Sequence, residues 1–514
     1  MPARLLAVCN DPWIRLWLSL ACITRLAWLP ARSLWFDEAY SVAISRQPLA
    51  DIWRLVALDV HPPLYYALLH ATMQAFGDSL WAIRGLSALA GVGGVLVAVC
   101  WVRVFASLPA VRIVALLLAI LPVAVRYSQE ARMYALVSLW LLAASLVLAL
   151  WLREPARKTW PLAYALLGSA ALYTHYFAML GLASHWAYLA WLGASGRSRL
   201  WRGSHWWLAN LAIVLLFAPW LPHFIDQLRT AGGNLDWIRP LSITSVPTLV
   251  WEFFWTLAAP TLRWPTLLWL AVALPLWVAW ETWRQRDRQA WGDPIAVGLL
   301  AFLPVALACL MSLEHPIMVT RYLVFAAMAL TVLLGLALAS LGRRHPRRAM
   351  LSLGLLVCVE SLGLLNSYRD GQALDNPRGE RSGINGLVGQ VISDWRAGDE
   401  TVVESGGGYL SLLYYLRDYP TPWFRPIGAV PAFKGANTPL HLTPRAPWLY
   451  DYDQLPAGTC GIWLFSASQK PPRLPPTDAW IETLQSVRDD DQLRYYRRRA
   501  CLSEKMEFNV RQGE

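Results

Sequence analysis

The chain has 514 residues, of which 56% are hydrophobic and only 15% charged, and its mean hydropathy is +0.37. That is too apolar for a soluble globular protein and too long for one or two membrane spans. The formal charge of +11 does not indicate nucleic acid, because Lys and Arg gather in short clusters between apolar runs, the pattern that orients a polytopic membrane protein.

In chain order, apolar segments suited to crossing a bilayer lie at about 13–29, 81–103, 112–126, 133–152, 160–174, 177–193, 205–221, 265–282, 295–312, 321–341 and 349–366, about eleven in all. The first contains Arg15 and Arg25 and meets no small-residue cleavage site before Trp35, so it reads as a span and not as a cleaved leader. With the N-terminus in the cytoplasm, four basic clusters all fall on the cytoplasmic side: Arg153 to Lys158, Arg197 to Arg202, Arg284 to Arg288, and Arg343 to Arg348. The apolar stretches 62–76 and 244–257, the second carrying Glu252, are short and read as interfacial or re-entrant helices. The external face then collects 33–78, 126–133, 174–176, 222–263, 314–321 and everything after Asn366.

Residues 367–514 are a different material, polar and rich in Gly and Pro, and form an expected second domain beside a membrane module at 1–366. A helix-like run at 383–399, a strand-like run at 400–405, a Gly406-Gly407-Gly408 turn and a helix-like run at 409–419 make a small α/β pattern. The glycines lack the spacing of a phosphate-binding loop and read as turn chemistry. Five of the seven cysteines lie in or beside apolar segments without CxxC spacing, whereas Cys460 and Cys501 share the polar tail and can pair if it is outside the cytoplasm. The expected fold class is therefore a polytopic α-helical membrane protein with a C-terminal α/β domain.

Three external motifs carry chemistry. Phe36-Asp37-Glu38-Ala39-Tyr40-Ser41 places two carboxylates just after the first span; on a helix their side chains diverge by about 100°, so one faces a reaction centre while the other supports a loop or a metal. The bland alternative is a charge pair solvating a helix terminus. Asp59-Val60-His61-Pro62-Pro63-Leu64-Tyr65-Tyr66 holds His61 in extended backbone at a helix entrance. Arg126-Tyr127-Ser128-Gln129-Glu130-Ala131-Arg132-Met133-Tyr134 sets two guanidinium groups around Glu130, either to hold an anion or to neutralise the carboxylate. Glu314-His315 with His61 is a weak candidate metal set, and a divalent metal is a candidate cofactor. His175, in Thr174-His175-Tyr176, ends another external span and shapes a pocket or packs structurally.

Together the FDEAYS, HPPLYY and YSQEARMYAL motifs, within residues 30 to 140, resemble the bacterial branch of the protein O-mannosyltransferase-like glycosyltransferases of the GT-C fold, a superfamily that includes the lipid A aminoarabinose transferase. The resemblance implies an inverting transfer from a polyprenyl-phosphate-linked sugar to a periplasmic acceptor, by an enzyme of the bacterial inner membrane with no nucleic-acid partner. It implies Asp37 as catalytic base with Glu38 in support, Glu130 as a second acid, and Arg321-Tyr322 beside the lipid phosphate. Arg126 and Arg132 are further candidates for that phosphate, because the leaving group gains negative charge and calls for cations. His61, Tyr65, Tyr40, His175 and Tyr134 are expected to line the substrate pocket. Two departures stand out. His61 replaces a Lys of the lipid A branch and Val60 replaces a Glu implicated there in metal binding, which puts the aminoarabinose donor and a zinc site of that kind in question. A lipid-linked sugar flippase is the alternative, although a transporter is expected to carry its ionisable groups near mid-bilayer in two matching halves.

Overall fold

The computed structural model describes residues 8, 10–234, 238–255, 273–274, 276–278, 280, 293–369, 384–404, 406–425, 447–467, 472–488 and 491–502. The chain divides into two compact units, residues 1–29 with 52–370 and residues 30–51 with 371–514. Residues 30–51, read from sequence as part of the membrane module, thus belong to the second unit.

Successive helices follow from local signals. α1 (Pro12–Leu26) starts at Asp11, whose Oδ1 accepts the Ile14 N–H at 3.1 Å, with Pro12 pre-setting the first turn. α2 (Phe36–Ser45) carries the acidic motif, and α3 (Leu49–Ala57) leads to the proline pair. α4 (Leu64–Phe76) begins directly after Pro63; its 13 residues span about 20 Å, short of the roughly 30 Å hydrocarbon core. α5 (Leu80–Phe105) is capped by Ser79. α6 (Leu108–Ile120) and α7 (Pro122–Ser128) form one apolar run bent by 54°. There follow α8 (Tyr134–Arg153), α9 (Thr159–Thr174), α10 (Ala178–Ala194), α11 (Ser204–Phe217), α12 (Leu221–Asn234), α13 (Ser245–Trp255), α14 (Asp293–Met311), α15 (Val324–Arg344) and α16 (Pro346–Arg369).

Among the described residues five helices are long and apolar enough to cross a membrane, and up to seven if the two bent pairs, α6 with α7 and α11 with α12, each count as one span. The predicted segments 13–29, 160–174 and 177–193 are helices of 15, 16 and 17 residues that fall short of that length. The predicted segment 265–282 lies largely outside the described residues. α15 is at the centre of the first unit, packed against α6, α8, α14 and α16.

The bend between α6 and α7 has an identifiable cause and remedy. Pro122 has no N–H for the Leu118 carbonyl four residues earlier. Arg25, fully buried on α1, fills the gap: its Nη2 donates to Leu118 C=O at 3.1 Å and its Nη1 to Ala119 C=O at 3.1 Å, while Thr24 Oγ1 donates to Ala119 C=O at 2.9 Å. Gly91 on α5 permits this arrangement, since a Cβ there would lie 2.0 Å from Ser128 Oγ and 3.0 Å from Arg25 Nε. Gly363 does the same for α16, where a Cβ would meet Phe254 C=O at 2.3 Å and Pro122 Cγ at 2.9 Å.

In the second unit, α2 packs on α18 (Gly406–Tyr415), with α17 (Ile384–Asp394) beside α18. The Leu34 N–H donates to Tyr415 Oη at 2.9 Å and Ser411 Oγ donates to Leu34 C=O at 3.0 Å; these bonds draw residues 30–51 into this unit. Gly406 to Gly408, expected as a turn, instead open α18, at a helix end where glycine costs less than in the interior. The sheet comprises β1 (Asp399–Val403), β2 (Trp423–Phe424), β3 (Gly461–Ala467), β4 (Trp480–Arg488) and β5 (Asp491–Arg498) in the order β2-β1-β3-β5-β4. β1 runs parallel to both β2 and β3, and β5 is antiparallel to β3 and β4. Val402, Ile462, Leu464, Trp480 and Tyr496 share a core with Leu449, Tyr452 and Leu455. Cys460 and Cys501 form a disulfide that ties the end of the last described segment to the start of β3.

Candidate active site

Helix ends in the first unit bring sequence-distant polar residues into one buried cluster. Pro63 enters α4 in the right-handed helical region, Pro62 disfavours helical backbone at His61, and His61 lies between Asp59 and the turn that precedes α8. His61 Nδ1 lies 3.2 Å from Asp59 Oδ2, which also accepts from Tyr66 Oη at 3.1 Å. Arg132 reaches the same group, with Nη1 donating to Tyr66 Oη at 3.4 Å and Nη2 3.4 Å from His61 Nε2. The Arg132 turn is itself anchored: Ser87 Oγ on α5 donates to Arg132 C=O at 2.9 Å and lies 3.0 Å from Tyr65 Oη.

Arg126, at the end of α7, donates from Nε to Glu130 Oε1 at 2.8 Å, and both side chains are buried. Of the two readings open from spacing, mutual neutralisation describes this pair. Arg132, on the far side of Glu130, engages His61 and Tyr66.

Tyr134, the first residue of α8, is the hub of the aromatic lining. Its ring centroid is 5.4 Å from Tyr127, 5.9 Å from His175 and 6.1 Å from Tyr322. The Arg132 and Arg321 guanidinium carbons lie 5.8 and 6.0 Å from that same ring, so the two are at most about 12 Å apart. His175 lies 5.6 Å from His61 and 4.8 Å from Tyr322 between ring centroids, and its Nδ1 accepts the Phe177 N–H at 3.1 Å. Thr320, beside Arg321, donates its hydroxyl to the Glu252 carboxylate on α13.

The electrostatics follow from this packing. Burial pushes the Asp59 carboxyl up, yet the neighbouring His61 and Arg132 outweigh it and hold the group below the usual carboxylate range. For His175, burial comes first, with His61, Arg132 and Arg321 adding to it; together they hold the imidazole well below its ordinary value and neutral at pH 7.

Of the residues singled out from sequence, His61, Tyr65, Arg126, Glu130, Arg132, Tyr134, His175, Arg321 and Tyr322 occupy this cluster or brace it. Asp37, Glu38 and Tyr40 are in the second unit on α2, with Glu38 and Tyr40 buried and Asp37 half-buried in the first turn. Glu314 and His315 are exposed, with His315 Nε2 4.0 Å from Glu314 Oε1, and among the described residues no group of three His, Cys, Asp or Glu could hold a metal ion. Asp59, two residues before the HPPLYY motif, and Tyr66, its last residue, join the cluster without having been singled out from sequence, as does Glu252, whose signal is a carboxylate on a short apolar helix.

Residues 60–223 match the profile of the family described as dolichyl-phosphate-mannose-protein mannosyltransferase. Compared by sequence with curated proteins, the chain has no significant match. Its fold resembles that of ArnT from Cupriavidus metallidurans, in the apo state at 17% identity and a TM-score of 0.61, covering 94% of this chain and 97% of that one. The undecaprenyl-phosphate-bound form of that ArnT matches at 14% identity and 0.59, covering 94% and 98%. The Archaeoglobus fulgidus oligosaccharyltransferase in complex with Zn and sulfate matches at 12% identity and 0.50, covering 88% of this chain and 67% of that one. The chain thus has a GT-C fold and resembles the superfamily of O-mannosyltransferases and ArnT.

Proposed function

We propose that the protein is an inverting glycosyltransferase that moves a sugar from a polyprenyl-phosphate-linked donor to an acceptor on the external face of a bacterial inner membrane. The observation that carries this reading is the convergence of Arg132 and Arg321 on the Tyr134 ring, 189 positions apart in sequence yet buried together. Two guanidinium groups that face one ring offer an entering anion two cationic contacts in a low-dielectric site. A guanidinium pairs with phosphate through two parallel N–H donors, and the departing polyprenyl phosphate gains negative charge as the glycosidic bond breaks. Tyr134, Tyr322 and His175 supply flat apolar faces beside that charge, and a neutral His175 adds no competing cation.

Transfer with inversion also needs a base to take the acceptor hydroxyl proton as its oxygen attacks the anomeric carbon. Asp59 is a poor choice, because its proton affinity is lowered by His61 and Arg132, and Glu130 is engaged by Arg126. We assign the base to Asp37 on the strength of its motif, with Glu38 in a supporting role. No step is routed through a metal. The family match over residues 60–223 and the ArnT-like fold support a lipid-linked donor, and ArnT itself has been captured with undecaprenyl phosphate. An external location for residues 367–514 is supported by the Cys460–Cys501 disulfide, which belongs to an oxidising compartment.

The test is incubation of the purified protein with a panel of polyprenyl-phosphate sugars and a cell-envelope glycan or lipid acceptor fraction, following release of polyprenyl phosphate. Acceptor-dependent release with one donor supports the reading. Absence of release with every donor, while the protein still moves a labelled lipid-linked sugar between leaflets of a vesicle, would replace it with a flippase.

A further inference from the structure

The second unit contains a polar row that the proposed transfer does not use. Its sheet places β2 on one side of β1 and β3 on the other, so the chain leaves β1 in one direction and returns in the opposite one. In open α/β sheets such a switch point opens a crevice at the carboxyl ends of the parallel strands, and ligands bind there. Val403 is in register with Phe424 and with Phe465, so the next residues, Arg425, Glu404 and Ser466, form one row across the three strand ends. The ladder continues through this row: the Arg425 N–H donates to Val403 C=O at 2.8 Å and the Glu404 N–H to Phe465 C=O at 3.1 Å. Alternation puts the three side chains on the face of Val402, Trp423 and Leu464.

All three are more than nine-tenths buried, with exposures of 8% for Arg425, 4% for Glu404 and 3% for Ser466. Each nevertheless has a polar atom with no hydrogen-bond partner among the described residues: Arg425 Nε, Glu404 Oε2 and Ser466 Oγ. Leaving such groups without a partner in a folded interior is costly. The Arg425 and Glu404 side chains are oriented by one short segment of backbone. The Arg473 N–H donates to Glu404 Oε1 at 3.0 Å, and Arg473 C=O accepts from Arg425 Nη1 at 3.2 Å and from Tyr452 Oη at 2.7 Å. Tyr452 also lies under the Arg425 guanidinium at 4.2 Å. Arg473 therefore meets one side of Arg425 and of Glu404, while Arg425 Nε, Glu404 Oε2 and Ser466 Oγ have no hydrogen-bond partner among the described residues.

We infer that Arg425, Glu404 and Ser466 form a second ligand site, in the C-terminal unit, for a hydroxyl-bearing anion of the acidic-sugar class. Arg425 Nε takes the anionic oxygen, Glu404 Oε2 accepts a sugar hydroxyl, and Ser466 Oγ bonds a second one. Neighbouring strands are about 4.8 Å apart, a spacing that suits non-adjacent substituents of one sugar ring. The acid can be a phosphate ester or a carboxylate, since Arg425 recognises either. This site is independent of the transfer reaction, and binding alone tests it.

Full-length protein in detergent is titrated calorimetrically with glucose 6-phosphate, glucuronate, glucose and inorganic phosphate. Saturable binding of one acidic sugar, with glucose and phosphate each at least about tenfold weaker, is the expected result, and the stronger of the two acids identifies the anionic group. Arg425→Lys and Glu404→Gln should each weaken that ligand by about tenfold. Ser466→Ala, a change of one atom, should weaken it by a smaller factor and serves where the other two variants do not fold. Three outcomes overturn the inference: no saturable binding of either acidic sugar to the unmodified chain, phosphate binding as tightly as the sugar phosphate, or unchanged affinity in the folded variants.

Discussion

The two units solve the same problem, holding charge inside an apolar fold, in different ways. In the helical unit several buried ionisable groups near helix ends have counterparts, Asp59 with His61 and Tyr66 and Arg126 with Glu130 close in sequence, and Arg25 with the carbonyls freed by Pro122 far from it. Glu360, buried within α16, has no hydrogen-bond partner among the described residues. In the α/β unit, Arg425, Glu404 and Ser466 are neighbours in a sheet, placed by strand register; one backbone segment bonds Arg425 and Glu404, and Arg425 Nε, Glu404 Oε2 and Ser466 Oγ have no hydrogen-bond partner among the described residues. The helical cluster is held by bonds between its own side chains. A row built on a sheet is held by the ladder, so it can leave polar atoms for something else.

The sharpest way to break this comparison is at Asp37. If the base belongs to α2, Asp37→Asn should lower turnover by about a thousandfold with little change in donor KM, whereas Asp59→Asn should act mainly through stability. Undiminished turnover in Asp37→Asn would remove the base from the second unit. Next in size is the disulfide. Closing a loop with a sequence separation of 41 residues is worth about 4 kcal/mol in the chain-entropy treatment, so Cys460→Ser with Cys501→Ser should loosen the second unit. Limited proteolysis should then cut after residue 371 at lower temperature while the helical unit stays resistant, and cleavage appearing first within 52–370 would contradict the division.

Arg321→Gln should cost about a hundredfold in kcat/KM if it stabilises the leaving phosphate. Tyr134→Phe keeps the ring that Arg321 and Arg132 face and should stay within about threefold, while Tyr134→Leu should resemble Arg321→Gln. Equal losses in the Phe and Leu variants would shift the role of Tyr134 from its ring to its hydroxyl. The smallest effect is a pH dependence. The folded-state pKa of His175 is depressed, so the unfolded chain binds its proton first, near the ordinary imidazole value of about 6.5. Stability should therefore be flat above about pH 6.5 and fall by up to about 1.4 kcal/mol per pH unit below it, and His175→Gln should remove that part of the slope in thermal unfolding scans.

Much of the helical unit was legible because apolar runs and basic clusters are one-dimensional signals. The segments at 81–103, 133–152, 321–341 and 349–366 coincide with α5, α8, α15 and α16, and the short stretches at 62–76 and 244–257 with α4 and α13. The cluster was legible as a list of residue types, since Arg, His and Tyr stand at the ends of those runs. Its pairing was not. Nothing in the spacing of Arg126, Glu130 and Arg132 says that one guanidinium takes the carboxylate while the other takes His61, because that depends on where α4 lies. The bend at Pro122 was visible as a proline within the apolar run, but its repair by Arg25 depends on two helices lying side by side. The grouping of residues 30–51 with the tail is set by bonds from Leu34 to Ser411 and Tyr415, nearly 380 positions away, which no local pattern encodes. The register that lines up Arg425, Glu404 and Ser466 is likewise a property of strand pairing.

The guanidinium that replaces a missing amide proton at the α6–α7 bend makes Arg25 and Pro122 a single inherited trait. A lineage that exchanges the proline for an alanine straightens the run, restores the backbone bond and is left with a buried charged side chain that has lost its task. A lineage that exchanges the arginine first takes the guanidinium donor from Leu118 C=O and leaves Thr24 Oγ1 as the side-chain donor to Ala119 C=O. Each step alone is costly, so the two positions are bound to change together or stay as they are, and the bend they maintain turns the Arg126–Glu130 pair away from the axis of α6.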